Sequence, residues 1–390
     1  MAPTLRSFHL QKGSQMNWAS FYRPARAPRG RWRNVFKLSL RDTHGPGPLP
    51  QEHQLAQTEF VTDGSKPSEQ AYFHHQRKQA DAPDSALQKA WFNSMKNILE
   101  EIDQVLRCIP DRMPFRFLDL GYIYHNLCEF QLRLRSIPLG SCCPGGFSSY
   151  ILEKNSRASG VGISLPIESG GHACLLEEDH LLRFELHWAD LTQYQLGPTF
   201  IDGAQLQNFP VSPGFDLVLI DGHPLRSASS DIHLDGDRLL ISQVIAGFVS
   251  VAFGGTIIFK QSKPERLVTS QLIFLFDGLC AEVRTWKPVC MHGTRSTFYI
   301  VAKGFGLGSR ALLRQQMVGG LMSLWVELSF AQGSRGRTGR KLRATDLNFI
   351  VDSKTLKTDY APRLRELSEH IWTTQSKCLQ GWRNAQADGF

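Results

Sequence analysis

The chain has 390 residues, 42% of them hydrophobic and 21% charged, a composition that suits a globular protein with a large core. Its formal charge of +8 and pI of about 9.1 favour a polyanionic partner. No apolar run reaches the roughly 18 residues a membrane span needs. The eight cysteines form no CxxC pair and no His/Cys ligand spacing, so neither a metal site nor a membrane partner is expected. No secretory segment opens the chain, which points to reduced thiols and an intracellular place, nucleus or cytoplasm.

Residues 1–82 read as a disordered basic region. Arg6, Lys12, Arg23, Arg26, Arg29, Arg31, Arg33, Lys37 and Arg41 all precede the first acid, Asp42. An Arg-rich, acid-free start also suits a transit peptide, which keeps the mitochondrion open. Order is expected from Pro83. Asp84 or Ser85 caps a helix whose apolar residues, Leu87 to Leu106, recur at three- and four-residue steps. Pro110 and Pro114 end it, and the strand Phe115–Leu120 follows.

From Cys142 onward, strands alternate with helices. Ser148–Asn155 reads as a helix and Gly160–Leu165 as a short buried strand. Leu182–Trp188 alternates as a strand does, and Phe215–Ile220 is a continuous apolar run of the central parallel type. Asp237–Phe253 is predicted helical, Gly255–Phe259 a strand, and Leu267–Cys280 a helix, with Ala281–Lys287 and Thr297–Lys303 as closing strands. The alternation predicts a doubly wound, Rossmann-like α/β sheet over 83–305. Residues 306–390 read as a helical C-terminal appendage, with helices at Leu312–Phe330 and Tyr360–Trp382.

Such sheets bind ligands beyond the carboxyl ends of their strands, and Gly121, Ser164, Asp190, Asp221 and Lys260 all fall there. Pro144-Gly145-Gly146 lets the backbone approach a ligand without a Cβ, and the next helix offers free N–H groups. GxGxxG is absent, which argues against a Rossmann oxidoreductase, and so is the P-loop GxxxxGK[ST] of ATPases.

With Tyr122–Ser141 set aside, FLDLG joined to CCPGGFSSYILE resembles motif I of the FtsJ-like, S-adenosylmethionine-dependent RNA 2′-O-methyltransferases. GVGISLP, HWADL, DLVLIDGHP, GGTIIFK and TRSTFYIV continue the resemblance in order, closest to fungal FtsJ-domain proteins. The resemblance implies S-adenosyl-L-methionine as cofactor and RNA, ribosomal or capped messenger, as partner, with a place in RNA methylation such as rRNA processing. It implies cofactor contacts at Asp119, Gly121, Pro144, Gly145, Gly146, Phe147, Ser164, Asp190 and Asp221. It also implies a Lys-Asp-Lys-Glu tetrad, matched by Asp221 and Lys260, with Lys96 as the first lysine and Lys89 the alternative. Thr297 stands where the glutamate belongs, and Ser164 where the family offers a ribose-binding acid.

Each residue also has a plainer reading. Asp221 suits a turn, Lys260 a strand end reaching solvent, and Asp190 a helix cap. His223 suits a turn, and the basic loop Arg335–Arg343 is equally a phosphate-binding patch or a solvated loop. His172 has no assigned role. The incomplete tetrad keeps a second function open, a degenerate methyltransferase fold that binds RNA or protein without catalysis. The roughly twenty residues Tyr122–Ser141 split the motif where a short turn is needed, and translated intron is the expected explanation.

Overall fold

The computed structural model describes residues 85–121, 145–166, 171–201, 204–222, 232–331 and 339–387. The basic N-terminal region, Tyr122–Ser141, Pro144, His223 and most of the basic loop therefore lie outside the described residues.

The first helix, α1, runs Ser85–Leu106 and buries Phe92, Ile98, Leu99 and Ile102 along one face. Asp103 on that face is also buried. Its Oδ1 accepts the N–H groups of Cys108 (2.7 Å) and Ile109 (2.9 Å), satisfying the chain as it leaves the helix. Lys303 donates to the carbonyl of Leu106, a cation at the negative end of the helix.

Strand β1 (Phe115–Leu120) is followed by α2 (Gly146–Lys154), β2 (Ala158–Ser164), the short α3 (Glu178–Leu181) and β3 (Phe184–Trp188). Strand β4 (Phe215–Ile220), α4 (Ile232–Ser250), β5 (Val251–Ser262), α5 (Leu267–Leu279), β6 (Cys280–Trp286) and β7 (Thr297–Phe305) complete the sheet. The strand order is β3-β2-β1-β4-β5-β7-β6. The first five in that order run parallel, and β7 is antiparallel to both neighbours. The expected doubly wound sheet is present, and its order reverses at β1 and β4, the place where such sheets bind ligands.

Several boundaries differ from the sequence reading, and β5 differs at both ends: it runs on past Phe259 to Ser262, which keeps Lys260 inside the strand. Val251–Phe253, expected as the end of a helix, open β5 instead. Phe215 pairs with Val251, and Leu217 pairs with Thr256, so the strand bulges between those pairs. Gly254 (φ 80°) supplies the left-handed residue that the bulge needs. Periodicity alone did not separate this apolar run from the helix before it.

The appendage is helical, as expected: α6 (Arg314–Phe330), α7 (Ser353–Thr358) and α8 (Ala361–Ala387). Fully buried Trp325 on α6 donates to Ser242 Oγ of α4 at 3.0 Å. Tyr360 and Arg363 hold Asp277 of α5 at 3.0 and 3.1 Å. Arg340 pairs with both Glu327 and Asp346, so this member of the basic loop spends its charge on the fold.

Candidate functional site

The site gathers at the carboxyl ends of β1, β4 and β5. The parallel register sets Ile220 beside Phe259, so Asp221, just past the end of β4, and Lys260, still inside β5, come side by side. Their side chains form an ion pair, Lys260 Nζ to Asp221 Oδ1 at 2.9 Å, with both largely covered. Antiparallel β7 places Tyr299 directly opposite Lys260. Tyr299 is buried and donates its hydroxyl to the same Asp221 oxygen at 3.1 Å. Burial, then the Asp221 charge, pushes the phenol well above its ordinary range, so it acts as a donor at any working pH.

Asp119, the fifth residue of β1, is only 2% exposed and accepts from Ser148 Oγ of α2 at 2.7 Å. Burial raises its carboxyl to about 7, the Ser148 hydrogen bond opposes the rise, and the Asp221 charge adds to it. Gly145 takes a left-handed conformation (φ 93°) and turns the chain into α2, which has no side-chain cap. The first N–H groups of α2 thus lack a capping oxygen from the chain's own N-cap side chain.

Gly146 also has a packing reason to be glycine. A Cβ there would meet Phe92 O at 2.2 Å and Met95 Cβ at 2.7 Å, so α1 fills the space. Phe147 is buried with its ring edge-on to Tyr299, centroids 6.1 Å apart. Gly121 follows β1 and is half-buried, and the Asp221 N–H reaches Leu120 O at 3.4 Å.

The remaining expected residues are less closely joined. Ser164 ends β2 buried, and its carbonyl accepts from Ala189 at 2.9 Å. Asp190 is a cap: its Oδ1 accepts from Thr192 N (2.7 Å) and Thr192 Oγ1 (2.6 Å). Its Oδ2 faces Gln193 Nε2 at 3.5 Å, a weak contact. Lys96 pairs with Glu153 of α2 and lies over the Phe92 ring at 5.6 Å. Lys89 is exposed. Thr297 opens β7 opposite Ser262, half-buried, with its carbonyl accepting from Lys287 Nζ at 2.7 Å. His172 packs edge-on against Trp91 at 5.4 Å, and burial lowers its pKa.

Three residues went unread in the sequence. Ser148 and Tyr299 stand inside quoted motifs, CCPGGFSSYILE and TRSTFYIV, but neither was given a role there, and the buried Lys287 carries no motif. Only the alternation of β7 hinted that Tyr299 shares a face with Lys260. Burial depresses Lys287 to about 8, and it holds the carbonyls of Arg295 and Thr297, fixing the connection that leads into β7.

No protein-family model matches the chain, and no curated protein does. Solved structures similar to it include a protein described as a ribosomal RNA methyltransferase from Plasmodium falciparum. That likeness has 20% identity and a TM-score of 0.35, over 55% of this chain and 97% of that one. A TehB-like SAM-dependent methyltransferase from Corynebacterium glutamicum is similar at 11% identity and a TM-score of 0.28, over 61% of this chain and 100% of that one. The N-methyltransferase NodS from Bradyrhizobium japonicum is similar at 13% identity and a TM-score of 0.31, over 54% and 95%. Among the described residues, no helix is long and apolar enough to cross a membrane.

Proposed function

We propose that this chain is an S-adenosylmethionine-dependent methyltransferase acting on an RNA ribose 2′-hydroxyl. The observation that carries the reading is the Asp221–Lys260 pair, 2.9 Å apart on adjacent strands and braced by Tyr299. A 2′-hydroxyl is a poor nucleophile and needs a positioned basic group more than covalent chemistry. Lys260, held by Asp221, orients that hydroxyl.

The residues around the glycine turn fit the cofactor. A buried carboxylate raised to about 7 is the group that a ligand's ammonium would return to its ionised form, and Asp119 is such a group. The α2 N-terminus at Gly146 and Phe147, Gly121 after β1, and Ser164 and Asp190 at the next strand ends would hold the rest. Pro144 would take part in the turn. The bound cofactor supplies an electrophilic methyl group.

A second reading, a fold that binds without catalysis, is favoured by two observations. Thr297 stands in the acid's place, and Lys96 is drawn to Glu153 rather than to the Asp221–Lys260 pair. Methyl transfer to total RNA with the native chain and Lys260→Ala tests the proposal. Loss of roughly 10²–10⁴-fold on substitution is expected. Equal incorporation by both would remove Lys260 from catalysis, and no calorimetric binding of S-adenosylmethionine at high micromolar concentration would favour the binding module.

A further inference from the structure

Beyond Lys260 the chain makes a turn whose construction goes further than joining β5 to α5. Lys263 adopts a left-handed backbone (φ 52°), unusual for a residue with a side chain. Its N–H donates to Ser296 O at 3.2 Å, tying the turn to the connection before β7. Arg266 N–H donates back to Lys263 O at 3.0 Å. From inside, Thr269 Oγ1 binds Ser262 O (3.0 Å) and Ser270 Oγ binds Pro264 O (2.8 Å). The turn is thus fixed at both ends, and its cations are carried on a preset frame.

Lys263 is half-buried and Arg266 exposed, and neither has a carboxylate partner among the described residues. The acid between them, Glu265, turns to the appendage, where Oε2 accepts from Trp372 Nε1 at 3.3 Å. Arg295 adjoins Ser296 on the connection that Lys263 binds. Lys263 lies three residues past Lys260, about 10 Å along an extended chain at roughly 3.3 Å per residue. That is the reach at which a strand presenting one ribose to Lys260 would carry its neighbouring phosphates.

We infer that Lys263 and Arg266 form the surface on which the RNA backbone lies while a ribose is presented to Lys260. This rests on the RNA reading above. Two cations on the fixed turn that follows Lys260, with no carboxylate partner among the described residues, are suited to phosphodiester oxygens, Arg266 through its forked guanidinium and Lys263 as a point charge.

The test is fluorescence anisotropy with a short labelled single-stranded RNA across a salt series, using the full chain. Lys263→Asn removes a charge while keeping a residue that tolerates the left-handed backbone. Arg266→Gln alters an exposed side chain at the surface of the turn. A control, Arg112→Asn with Arg157→Ala, removes the same charge from exposed positions near the amino ends of β1 and β2, Asn again suiting the left-handed backbone of Arg112 (φ 52°).

The Lys263→Asn/Arg266→Gln variant should bind RNA about tenfold or more weakly. The slope of log affinity against log salt should flatten by about 0.7 for each phosphate that is no longer neutralised. Calorimetric S-adenosylmethionine binding and the control variant should match the native chain. Should the double variant lose its circular dichroism, Arg266→Gln alone must still flatten the slope. Native affinity and slope in the folded variants would overturn the surface while the RNA reading stands. An equal loss in the control would overturn it as bulk charge. A native chain that binds cofactor but no RNA would sink the RNA reading and this surface together.

Discussion

Ser148 Oγ donates to Asp119 Oδ2 at 2.7 Å although the two residues are 29 positions apart in the chain. The strand-end carboxylate and the helix after the glycines are thereby closed onto each other. The hydrogen bond joins, in space, the two pieces of the motif that the sequence separates.

Asp119 should make stability fall as pH rises. In the unfolded chain the carboxyl loses its proton near 3.8, whereas the fold holds it to about 7. Between those values the folded state binds more protons, so stability is fully present below about 4 and declines until about 7. Asp119→Asn should flatten that part of the profile. Thermal unfolding across this window checks it, and a slope unchanged in Asp119→Asn would assign the dependence to another group.

Ser148→Ala removes the hydroxyl that holds Asp119 and leaves a buried acceptor with one partner fewer. A loss of about 1–3 kcal/mol is expected by urea denaturation. The Asp119 transition should also move upward, since that hydrogen bond opposes its rise.

Removing Tyr122–Ser141 should leave the fold intact, because Asp119 and Ser148 already meet across the interval. The shortened chain is expected to unfold cooperatively and to bind S-adenosylmethionine at least as tightly as the full chain. Calorimetry on both measures this. Weaker binding by the shortened chain would make the segment part of the site, against the intron reading.

Gly146→Ala should destabilise by overpacking. The added Cβ would fall 2.2 Å from Phe92 O, and backbone on α1 cannot move aside as a flexible side chain does. The expected cost is about 1–3 kcal/mol. A melting temperature equal to that of the native chain would show that α1 yields freely.

Tyr299→Phe keeps the ring against Phe147 and deletes the donor to Asp221. Stability should drop by about 1.5–3 kcal/mol, the range for a hydrogen bond to a charged group. Methyl transfer should fall less than in Lys260→Ala, because the Asp221–Lys260 pair remains. A loss as deep as that of Lys260→Ala would place Tyr299 in the reaction rather than behind it.

The sequence by itself determined the alternating elements, the positions of Asp119 and Asp221 at strand ends, and the glycine turn, because burial period and strand-end chemistry are local; it stopped β5 at Phe259, whereas pairing with β7 carries the strand past Lys260 to Ser262. It also carried the absence of an acid at Thr297. Only the tertiary structure decided which of these residues meet. The register of β4, β5 and β7 brings Asp221, Lys260 and Tyr299 onto one carboxylate oxygen, and no spacing in the chain encodes that. The same holds for α1, whose backbone lies where a Cβ at Gly146 would go, and whose Lys96 is drawn to Glu153. Helix-to-helix packing is a long-range outcome, so a glycine required for close approach looks, in sequence, the same as one required for binding.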